Sequence, residues 1–345
     1  MRVLVTGGAG FVGSVCVERL LAEGHRVAVI DNLSTGHRNA VPPEVEFIEG
    51  DLADAELVTP LTESFRPDVV MHFAGETLVG NSMTQPRIYF ENNVQKAISF
   101  LNTLLDSGVK NFIFSSTAAV YGNPIETPLT EDHPTQPINA YGESKLTFEK
   151  VLEWYRRAYR LNYVAFRYFN ACGATRFLGE CHDPETHLIP RILNSLEEPG
   201  AEFVIYGDDY PTQDGTCVRD YVHVVDIARA HMLGMLALAG GCCGIYNIGS
   251  GSGYSVKEVM SVVQQVTGRP VPYRVGPPRE GDPATLVASS SKLSNELHWQ
   301  PRHSSLQHIV ESAWEWKRNR PRGYEQSTGS GPLLVDHDTC ARNCS

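Results

Sequence analysis

The glycines near the N-terminus constrain the fold of this chain more than any other feature. Gly7, Gly10 and Gly13 follow an apolar run over residues 2–6 and open a helical pattern over residues 10–23. In such a turn the first glycine permits the sharp bend, the second lets the backbone approach a pyrophosphate, and the third lets the helix pack closely on the sheet. The free N–H groups at the helix start attract phosphate. Because strand, turn and helix occur in this order, we predict a dinucleotide-binding domain.

Short β-branched runs alternate with helical patterns along the first half of the chain. The predicted strands are residues 2–6, 26–30, 45–48, 69–73, 111–115 and 163–167. This alternation predicts a parallel sheet with helices on both faces, that is, a Rossmann-type doubly wound α/β fold. Strands this apolar are expected to be buried on both sides.

The pattern changes after about residue 170, where Pro and Gly become frequent and the strand candidates are short: residues 203–206, 245–248 and 286–288. We predict that residues 1–170 form the Rossmann domain and that segments near 218–250 return to it. Residues 171–324 are predicted to form mainly a smaller C-terminal α/β region that binds substrate. The tail over residues 325–345 is rich in Ser, Gly and Asp, and we expect it to be disordered.

Composition and charge exclude several functional classes. The formal net charge of −11 argues against a nucleic-acid-binding protein, which needs a basic surface. No apolar run is long enough to span a membrane, and no secretory leader is recognisable, so we expect a cytoplasmic protein with its eight cysteines reduced. Cys181, His182 and His187 resemble metal ligands superficially, but no second cluster completes a site, and we expect no metal.

Two acidic residues follow the second and third predicted strands. Asp31 lies 18 residues after Gly13, where a carboxylate accepts hydrogen bonds from the hydroxyls of the adenosine ribose and repels a 2′-phosphate. This position favours NAD over NADP as the cofactor. Asp51 could reach the adenine, or it could instead be the N-cap of the helix that follows.

A Tyr and a Lys four residues apart provide the candidate catalytic pair. Tyr141 and Lys145 share one face of a predicted helix, about 6 Å apart. A nearby ammonium group and the positive nicotinamide ring both favour the phenolate, so we expect the pKa of Tyr141 to be lowered. The alternative is a surface pair on an ordinary helix.

A hydroxyl-rich segment follows the fifth predicted strand. Ligands of open parallel sheets lie beyond the carboxyl ends of the strands, so Thr117 could orient the reacting hydroxyl of the substrate toward Tyr141. Ser115 and Ser116 could fill that role instead, or they could bind backbone groups.

Taken together, these residues resemble the extended short-chain dehydrogenase/reductase superfamily and, more closely, the family of UDP-glucose 4-epimerases within it. The resemblance covers residues 1–324. Besides the glycine turn and the Tyr–Lys pair, the matching blocks are residues 31–38, 72–75, 167–170, 207–212 and 218–223.

The resemblance implies a set of site residues. The catalytic residues would be Tyr141, Lys145 and Thr117. The residues binding NAD would be Gly7, Gly10, Phe11, Val12, Gly13, Asp31, Asn32, Ser34, Thr35, Gly36, Asp51, Leu52, Phe73, Ala74, Gly75, Asn92, Tyr141, Lys145 and Phe169. The residues binding the UDP-sugar would be Thr77, Thr117, Asn170, His187, Leu188, Tyr206, Arg219, Arg279, Asp282 and Leu286. Arg219 and Arg279 carry charged forks suited to a diphosphate, although either could be a surface ion pair.

The resemblance also implies the reaction, which interconverts UDP-glucose and UDP-galactose. Tyr141 would take the proton of the sugar 4-hydroxyl, the C4 hydride would pass to bound NAD, and the 4-keto sugar would turn over before hydride and proton return. The family implies a homodimer that pairs helices such as residues 95–107 and 141–157.

Three positions depart from the family pattern. Glu76-Thr77 stands where many relatives carry Lys or Ser, and Gln95-Lys96-Ala97 lacks a usual glycine. Leu286 is intermediate between the large residue that blocks N-acetylated sugars in relatives and the small one that admits them. Acceptance of UDP-N-acetylhexosamines therefore stays open.

Several alternatives share the fold. A 4,6-dehydratase would carry an acid and a base where this chain has Ala118 and Ala119, so dehydration is disfavoured. A 4-epimerase acting on a UDP-pentose, UDP-uronate or UDP-N-acetylhexosamine is the main rival. A non-catalytic NAD-sensing protein and an ordinary dehydrogenase are further alternatives.

Overall fold

The structure is a computed structural model that describes residues 1–198, 200–279 and 282–325. The expectation of a disordered tail over residues 325–345 therefore concerns positions that, apart from Glu325, lie outside the described residues.

The strands and helices alternate through the first half of the chain. The strands are β1 (Arg2–Thr6), β2 (Arg26–Asp31), β3 (Glu46–Glu49), β4 (Val69–His72), β5 (Asn111–Thr117), β6 (Asn162–Tyr168), β7 (Asn170–Cys172), β8 (Phe203–Tyr206), β9 (Val218–His223), β10 (Gly244–Ile248), β11 (Gly253–Ser255), β12 (Tyr273–Gly276) and β13 (Thr285–Leu286). The α-helices are α1 (Phe11–Ala22), α2 (Ala55–Phe65), α3 (Val79–Thr84), α4 (Pro86–Phe90), α5 (Ala97–Asp106), α6 (Ala140–Tyr159), α7 (Leu188–Ser195), α8 (Val224–Ala239), α9 (Val256–Thr267), α10 (Ser291–Leu297) and α11 (Leu306–Asn319). Single 3₁₀ turns cover Arg38–Ala40 and Ala118–Tyr121, and a π-helical turn covers Glu91–Lys96.

Seven strands form the main sheet, in the order β10-β6-β5-β4-β1-β2-β3. Every neighbouring pair in it is parallel. The order reverses direction beside β1, which creates the crevice in which open α/β sheets bind ligands. The predicted Rossmann-type fold is confirmed.

Both faces of the sheet are covered by helices, as the apolar strand sequences require. On one face α1 and α8 pack against the sheet through residues such as Leu20 and Met235. On the other face α2, α5 and α6 contribute Phe65, Phe100 and Phe148 to a second core. Because no face of the sheet is left to water, its strands can be almost wholly apolar.

The predicted strands of the main sheet lie within a few residues of the observed ones. The largest difference is at β5, which was expected to end at Ser115 but extends through Thr117. The two extra residues pair with Arg167 and Tyr168 of β6, so long-range pairing carries the strand into the hydroxyl-rich segment. Secondary-structure propensity could not anticipate this, because the pairing partner is distant in the sequence.

The second half of the chain builds two small sheets. In the first sheet, β9 pairs with β7, β11 and β13. In the second sheet, β8 pairs with β12. A third apolar core joins α7, α9 and α11 to these strands. Of the segments near 218–250, α8 covers the main sheet and β10 forms its edge, while β9 belongs to the small sheet. The division into two domains stays a prediction.

Within the described ranges, no helix is both long enough and apolar enough to cross a membrane.

Candidate active site

One cavity of about 1530 Å³ lies at the carboxyl ends of the parallel strands. A residue at or just beyond the end of each of the first six strands lines it; these are Gly7, Asp31, Asp51, Phe73, Thr117 and Phe169. This edge of the sheet is where backbone direction, helix N-termini and loop side chains converge in doubly wound folds. The strands therefore deliver the candidate residues to one place.

The glycine turn can be built only with glycine at two of its positions. Gly7 has φ +67°, and a Cβ there would lie 2.5 Å from the backbone nitrogen of Ala74. A Cβ at Gly13 would lie 2.2 Å from the carbonyl oxygen of Gly7. The first glycine permits the backward bend, and the second permits the close approach of α1 to the turn.

The start of α1 fits a pyrophosphate. The helix begins at Phe11, and its N-cap, Gly10, offers no side-chain acceptor to the N–H groups of the first turn. Gly10, Phe11, Val12 and Gly13 all line the cavity. An uncapped helix N-terminus presents N–H donors and a partial positive charge, which are the groups that bind phosphate. The donor set agrees with the dinucleotide predicted from sequence.

Asp31 is a buried carboxylate at the end of β2, with 8% of its surface exposed. One oxygen accepts a hydrogen bond from the N–H of Ala9 at 2.9 Å, and the other accepts from the N–H of Leu33 at 2.8 Å. These bonds fix the carboxylate beside the glycine turn. Each oxygen retains a lone pair that can accept from a ribose hydroxyl.

Asp51 lines the same cavity and is bound by Lys96. The Lys96 Nζ atom donates to Asp51 Oδ2 at 2.6 Å, and this contact helps to lower the pKa of the carboxyl group against the effect of burial, which raises it. The alternative in which Asp51 caps α2 is wrong, because the N-cap is Asp54, whose carboxylate accepts from the N–H of Glu56.

Tyr141 and Lys145 lie in the first turns of α6, with side chains that are almost fully buried and that line the cavity. Burial raises the pKa of Tyr141 to about 12, and a hydrogen bond with the Thr117 side chain only partly opposes this. The expected lowering of this pKa is therefore wrong for the protein without its cofactor. The cost of burying a phenolate exceeds what the surrounding side chains supply.

Burial also shifts the pKa of Lys145, in the direction that disfavours its charged ammonium form. Its Nζ donates to the carbonyl oxygen of Ser115 at 3.1 Å and lies 5.0 Å from the ring centroid of Phe114. Burial lowers the pKa of Lys145 to about 8. The charged form is held by one carbonyl and one aromatic face, which do not replace the lost hydration.

Lys145→Met is expected to raise the stability of the ligand-free protein at pH 7. Methionine has a shape similar to that of lysine but carries no charge that has to be buried. The gain should shrink as the pH rises from about 8 to 10.5. In that window folded Lys145 is neutral while the unfolded chain is still protonated, so the wild type gains stability and the variant does not. Urea unfolding of both proteins at several pH values measures the difference.

Lys150 provides the matched control for that experiment. It is exposed on the same helix, so Lys150→Met removes a water-facing ammonium group that has no burial cost. A stability difference for Lys145→Met that is absent at pH 7, or that grows between pH 8 and 10.5, contradicts the assignment of burial as the cause.

The three hydroxyl residues at the end of β5 have different partners. The Ser115 hydroxyl bonds to the Tyr168 hydroxyl, and the Ser116 hydroxyl donates to Glu149 at 2.5 Å. Thr117 lines the cavity, its Oγ1 accepts from the N–H of Ala119 at 3.1 Å, and its side chain interacts with the phenol of Tyr141. Because the two serines are engaged elsewhere, Thr117 is the hydroxyl best placed to act beside the phenol.

Arginines gather at the far end of the cavity. The guanidinium of Arg279 lies 4.0 Å from the ring centroid of Tyr206, and that of Arg191 lies 5.8 Å from the same ring. These cations lower the pKa of Tyr206. Arg219 forms an ion pair with Asp282, and its side chain is 11% exposed. All five residues line the cavity, so their charges face the space that a diphosphate would fill.

Every residue that the family resemblance assigned to the site lines this cavity, whereas Ser116, the alternative to Thr117, does not. Besides those already described, the set includes Asn32, Ser34, Thr35, Gly36, Leu52, Ala74, Gly75, Thr77, Asn92, Asn170, His187, Leu188 and Leu286. The amide of Asn170 donates to the carbonyl oxygen of Asp220 at 2.8 Å, and that of Asn92 donates to Glu76 at 3.0 Å. Leu286 packs against a small apolar cluster that includes Phe169. The individual binding roles stay predictions.

Arg191, Lys96 and the π-helical turn were not among the features predicted from the sequence. Arg191 follows Leu188 by one helical turn, so the amphipathic pattern of α7 could have indicated that it faces the same side. The π-helical turn over Glu91–Lys96 has no such signal. Within it, Asn93 accepts from the N–H of Glu76 at 2.7 Å and donates to Ser144 of α6 at 3.0 Å. These bonds join the cavity wall to the Tyr141 helix.

Comparison with known proteins agrees with this architecture. The NAD dependent epimerase/dehydratase family matches residues 3–249. A UDP-glucose 4-epimerase of Halalkalibacterium halodurans is 47% identical over 327 residues, which cover 94% of this chain and 98% of that protein. A UDP-glucose 4-epimerase crystal structure aligns with a TM-score of 0.92 and 46% identity, covering 94% of this chain and 100% of that one. The Bifidobacterium longum UDP-glucose 4-epimerase in complex with NAD⁺ and UDP aligns with a TM-score of 0.88 and 36% identity, covering 94% and 100%. This chain therefore belongs to the NAD-dependent epimerase/dehydratase family.

Proposed function

We propose that this chain is an NAD-dependent UDP-glucose 4-epimerase, which interconverts UDP-glucose and UDP-galactose. The convergence of three features in one cavity carries the proposal: the buried phenol of Tyr141 with its Thr117 partner, the uncapped N-terminus of α1, and the arginines around Tyr206. The curated relatives and solved structures with which the chain aligns over most of its length support it.

The residues at the first four strand ends would hold the cofactor. The α1 N-terminus would bind the pyrophosphate, and Asp31 would bind the adenosine ribose, where its negative charge disfavours a 2′-phosphate. Lys145 would bind the second ribose. The chemistry that bound NAD supplies is the reversible acceptance of a hydride from C4 of the sugar.

The chain itself moves one proton and holds the diphosphate. Tyr141 takes the proton from the sugar 4-hydroxyl and later returns it, while Thr117 orients that hydroxyl. Arg219 and Arg279 hold the diphosphate through both steps, so the 4-keto sugar can turn about its link and present its opposite face. Arg191, which flanks the same Tyr206 ring, joins them.

The direct test is product analysis from both directions. The full chain is incubated separately with UDP-glucose and UDP-galactose, and the sugars are resolved by chromatography. We expect both reactions to reach the same mixture without net release of NADH. A keto or acid product with NADH release indicates a dehydrogenase. Bound NAD without turnover of any UDP-hexose indicates a sensing protein.

The same product analysis with further UDP-sugars tests the alternative substrates. Including a UDP-pentose, a UDP-uronate and UDP-N-acetylglucosamine tests whether Leu286, which lines the cavity beside Phe169, leaves room for larger or charged sugars. Dehydration stays disfavoured. The two positions that would supply its acid and base are Ala118 and Ala119, which line the cavity but carry no ionisable group.

A homodimer accounts for aromatic side chains exposed on neighbouring helices. Trp154 and Tyr159 of α6 are 65% and 56% exposed, and Phe90 of α4 is 40% exposed. α4 packs against α6, and exposed aromatic side chains of this kind are typical of surfaces that bind another protein. Light scattering should give twice the chain mass, and a monomeric mass contradicts the proposal.

The cytoplasmic location stays a prediction. The six cysteines in the described residues are all unpaired, which supports it.

A further inference from the structure

The loop between β7 and α7 brings two imidazoles and two carboxylates together. Glu180, His182, Glu185 and His187, here called the Glu/His cluster, are spaced Glu-x-His-x-x-Glu-x-His. One ligand atom from each lies within 4.8 Å of all the others. His182 Nδ1 is 3.4 Å from Glu180 Oε1 and 3.7 Å from Glu185 Oε2. His187 Nδ1 contacts Glu180 Oε1 and is 3.8 Å from Glu185 Oε1.

The two carboxylates of the Glu/His cluster are buried and need positive charge. Their side chains are only 5% and 9% exposed. In the part of the chain that the structure describes, the ion pairs of both carboxylates are with His182 and His187, and none is with Lys or Arg. A buried carboxylate without compensation is costly. Two neutral imidazoles and two carboxylates sum to −2, which one divalent cation balances.

Most of the separations in the Glu/His cluster approach those of a tetrahedral transition-metal site. Bonds of about 2.1 Å from Zn²⁺ to nitrogen and oxygen ligands place neighbouring ligand atoms about 3.4 Å apart. Three separations, of 3.4, 3.7 and 3.8 Å, are close to this edge, the last two being to different oxygens of Glu185. His187 Nδ1 and Glu180 Oε1 are in hydrogen-bond contact and have to move apart to admit an ion. Imidazole nitrogen with carboxylate oxygen is a donor set that Zn²⁺ accepts and that Mg²⁺ and Ca²⁺ do not favour. We propose that the Glu/His cluster binds one zinc-like divalent ion per chain.

The bound ion would have a structural role. Four protein ligands close a tetrahedral site and leave no position for a reacting molecule. His187, which the family resemblance assigned to the UDP-sugar, is the N-cap residue of α7, and the proposal assigns its imidazole to the ion instead. Glu180, His182 and His187 line the cavity together with Leu188 and Arg191. An ion at the Glu/His cluster therefore fixes the wall that carries Arg191. Sequence analysis considered Cys181 with the two histidines, but the glutamates on either side of His182 complete the cluster instead.

The competing explanation is two protonated histidines. Two imidazolium rings would neutralise the same carboxylates without any metal. Metal binding distinguishes the two explanations, because protonated rings have no lone pair at the nitrogen that a metal must contact.

Calorimetric titration of the full, chelator-treated chain with ZnCl₂ at neutral pH tests the proposal. We expect one saturable site per chain and a higher melting temperature in the presence of Zn²⁺. His182→Asn and Glu185→Gln should each weaken binding by at least about tenfold. The matched controls are Cys181→Ser, which removes the thiol beside the cluster, and His308→Asn, which removes a distant histidine; both should bind as the wild type does.

The Co²⁺ form identifies the ligands directly. Nitrogen and oxygen ligands give tetrahedral d–d bands without a thiolate charge-transfer band, and those bands should disappear in His182→Asn. Absence of saturable Zn²⁺ binding, binding that survives His182→Asn with Glu185→Gln, or a thiolate band on Co²⁺ each overturns the proposal. Neither measurement depends on turnover, so the result is independent of the proposed reaction.

Discussion

Tyr141→Phe is expected to lower kcat by about 10²–10⁴-fold while NAD stays bound, because it removes the group that we propose takes and returns the substrate proton. The ring, which is 9% exposed, keeps its packing beside Tyr89, so the fold and the cofactor site should persist. Epimerisation of UDP-glucose is measured by chromatography, and bound NAD is measured after denaturing the purified protein.

Tyr155→Phe is the matched control for this experiment. Tyr155 lies on the same helix, and its hydroxyl donates to Asn102 at 2.9 Å on the exposed side. This variant should turn over as the wild type does. Near-normal turnover in Tyr141→Phe ends the assignment of the phenol as base, whereas loss of NAD from that variant would show that the substitution damages the cofactor site instead.

The raised pKa of Tyr141 indicates that the proposed reaction depends on the charge of bound NAD as well as on its redox chemistry. Burial raises this pKa to about 12, and the neighbouring Lys145 is itself weakened as a cation by burial. The chain alone therefore keeps the phenol protonated. A positive nicotinamide ring beside the phenol would favour the phenolate, so the base form should arise when oxidised NAD is bound.

The fold could be predicted from sequence because its signals are local. The apolar runs and the glycine turn are read from adjacent residues, and each predicted strand of the main sheet lies within a few residues of the observed one. The site could be located because the carboxyl ends of parallel strands share one edge, so residues such as Asp31 and Thr117 are placed by topology alone.

What sequence could not predict depends on contacts between distant residues. The direction of the Tyr141 pKa shift follows from how deeply α6 is buried, which no local pattern records. The bond from Asn93 to Ser144 exists because a π-helical turn re-aims the asparagine toward α6. The Glu/His cluster forms only when the loop before α7 folds back and brings Glu180 to His187. Each of these features needs the tertiary structure.

The helix that carries Tyr141 is anchored to the sheet by a buried ion pair. Arg167 of β6 donates to Glu149 of α6 through Nε at 3.0 Å and through Nη2 at 2.6 Å. The two side chains are 5% and 3% exposed. Ser116 donates to the same carboxylate, and Tyr121 accepts from Arg167 Nη1 at 3.1 Å. The pair therefore connects α6 to β5 and β6.

Arg167→Met is expected to lower the free energy of unfolding by about 3–5 kcal/mol, because it leaves the Glu149 carboxylate buried without its cation. Urea unfolding of the ligand-free protein measures the loss. Adding Glu149→Leu to this variant should recover much of the stability, because an apolar pair of similar volume has no charge to desolvate. Arg157→Met removes an exposed partner of Glu153 on the same helix, and should cost far less. Equal losses for Arg167→Met and Arg157→Met, or a double variant no more stable than Arg167→Met alone, would show that the anchor acts through packing and not through charge.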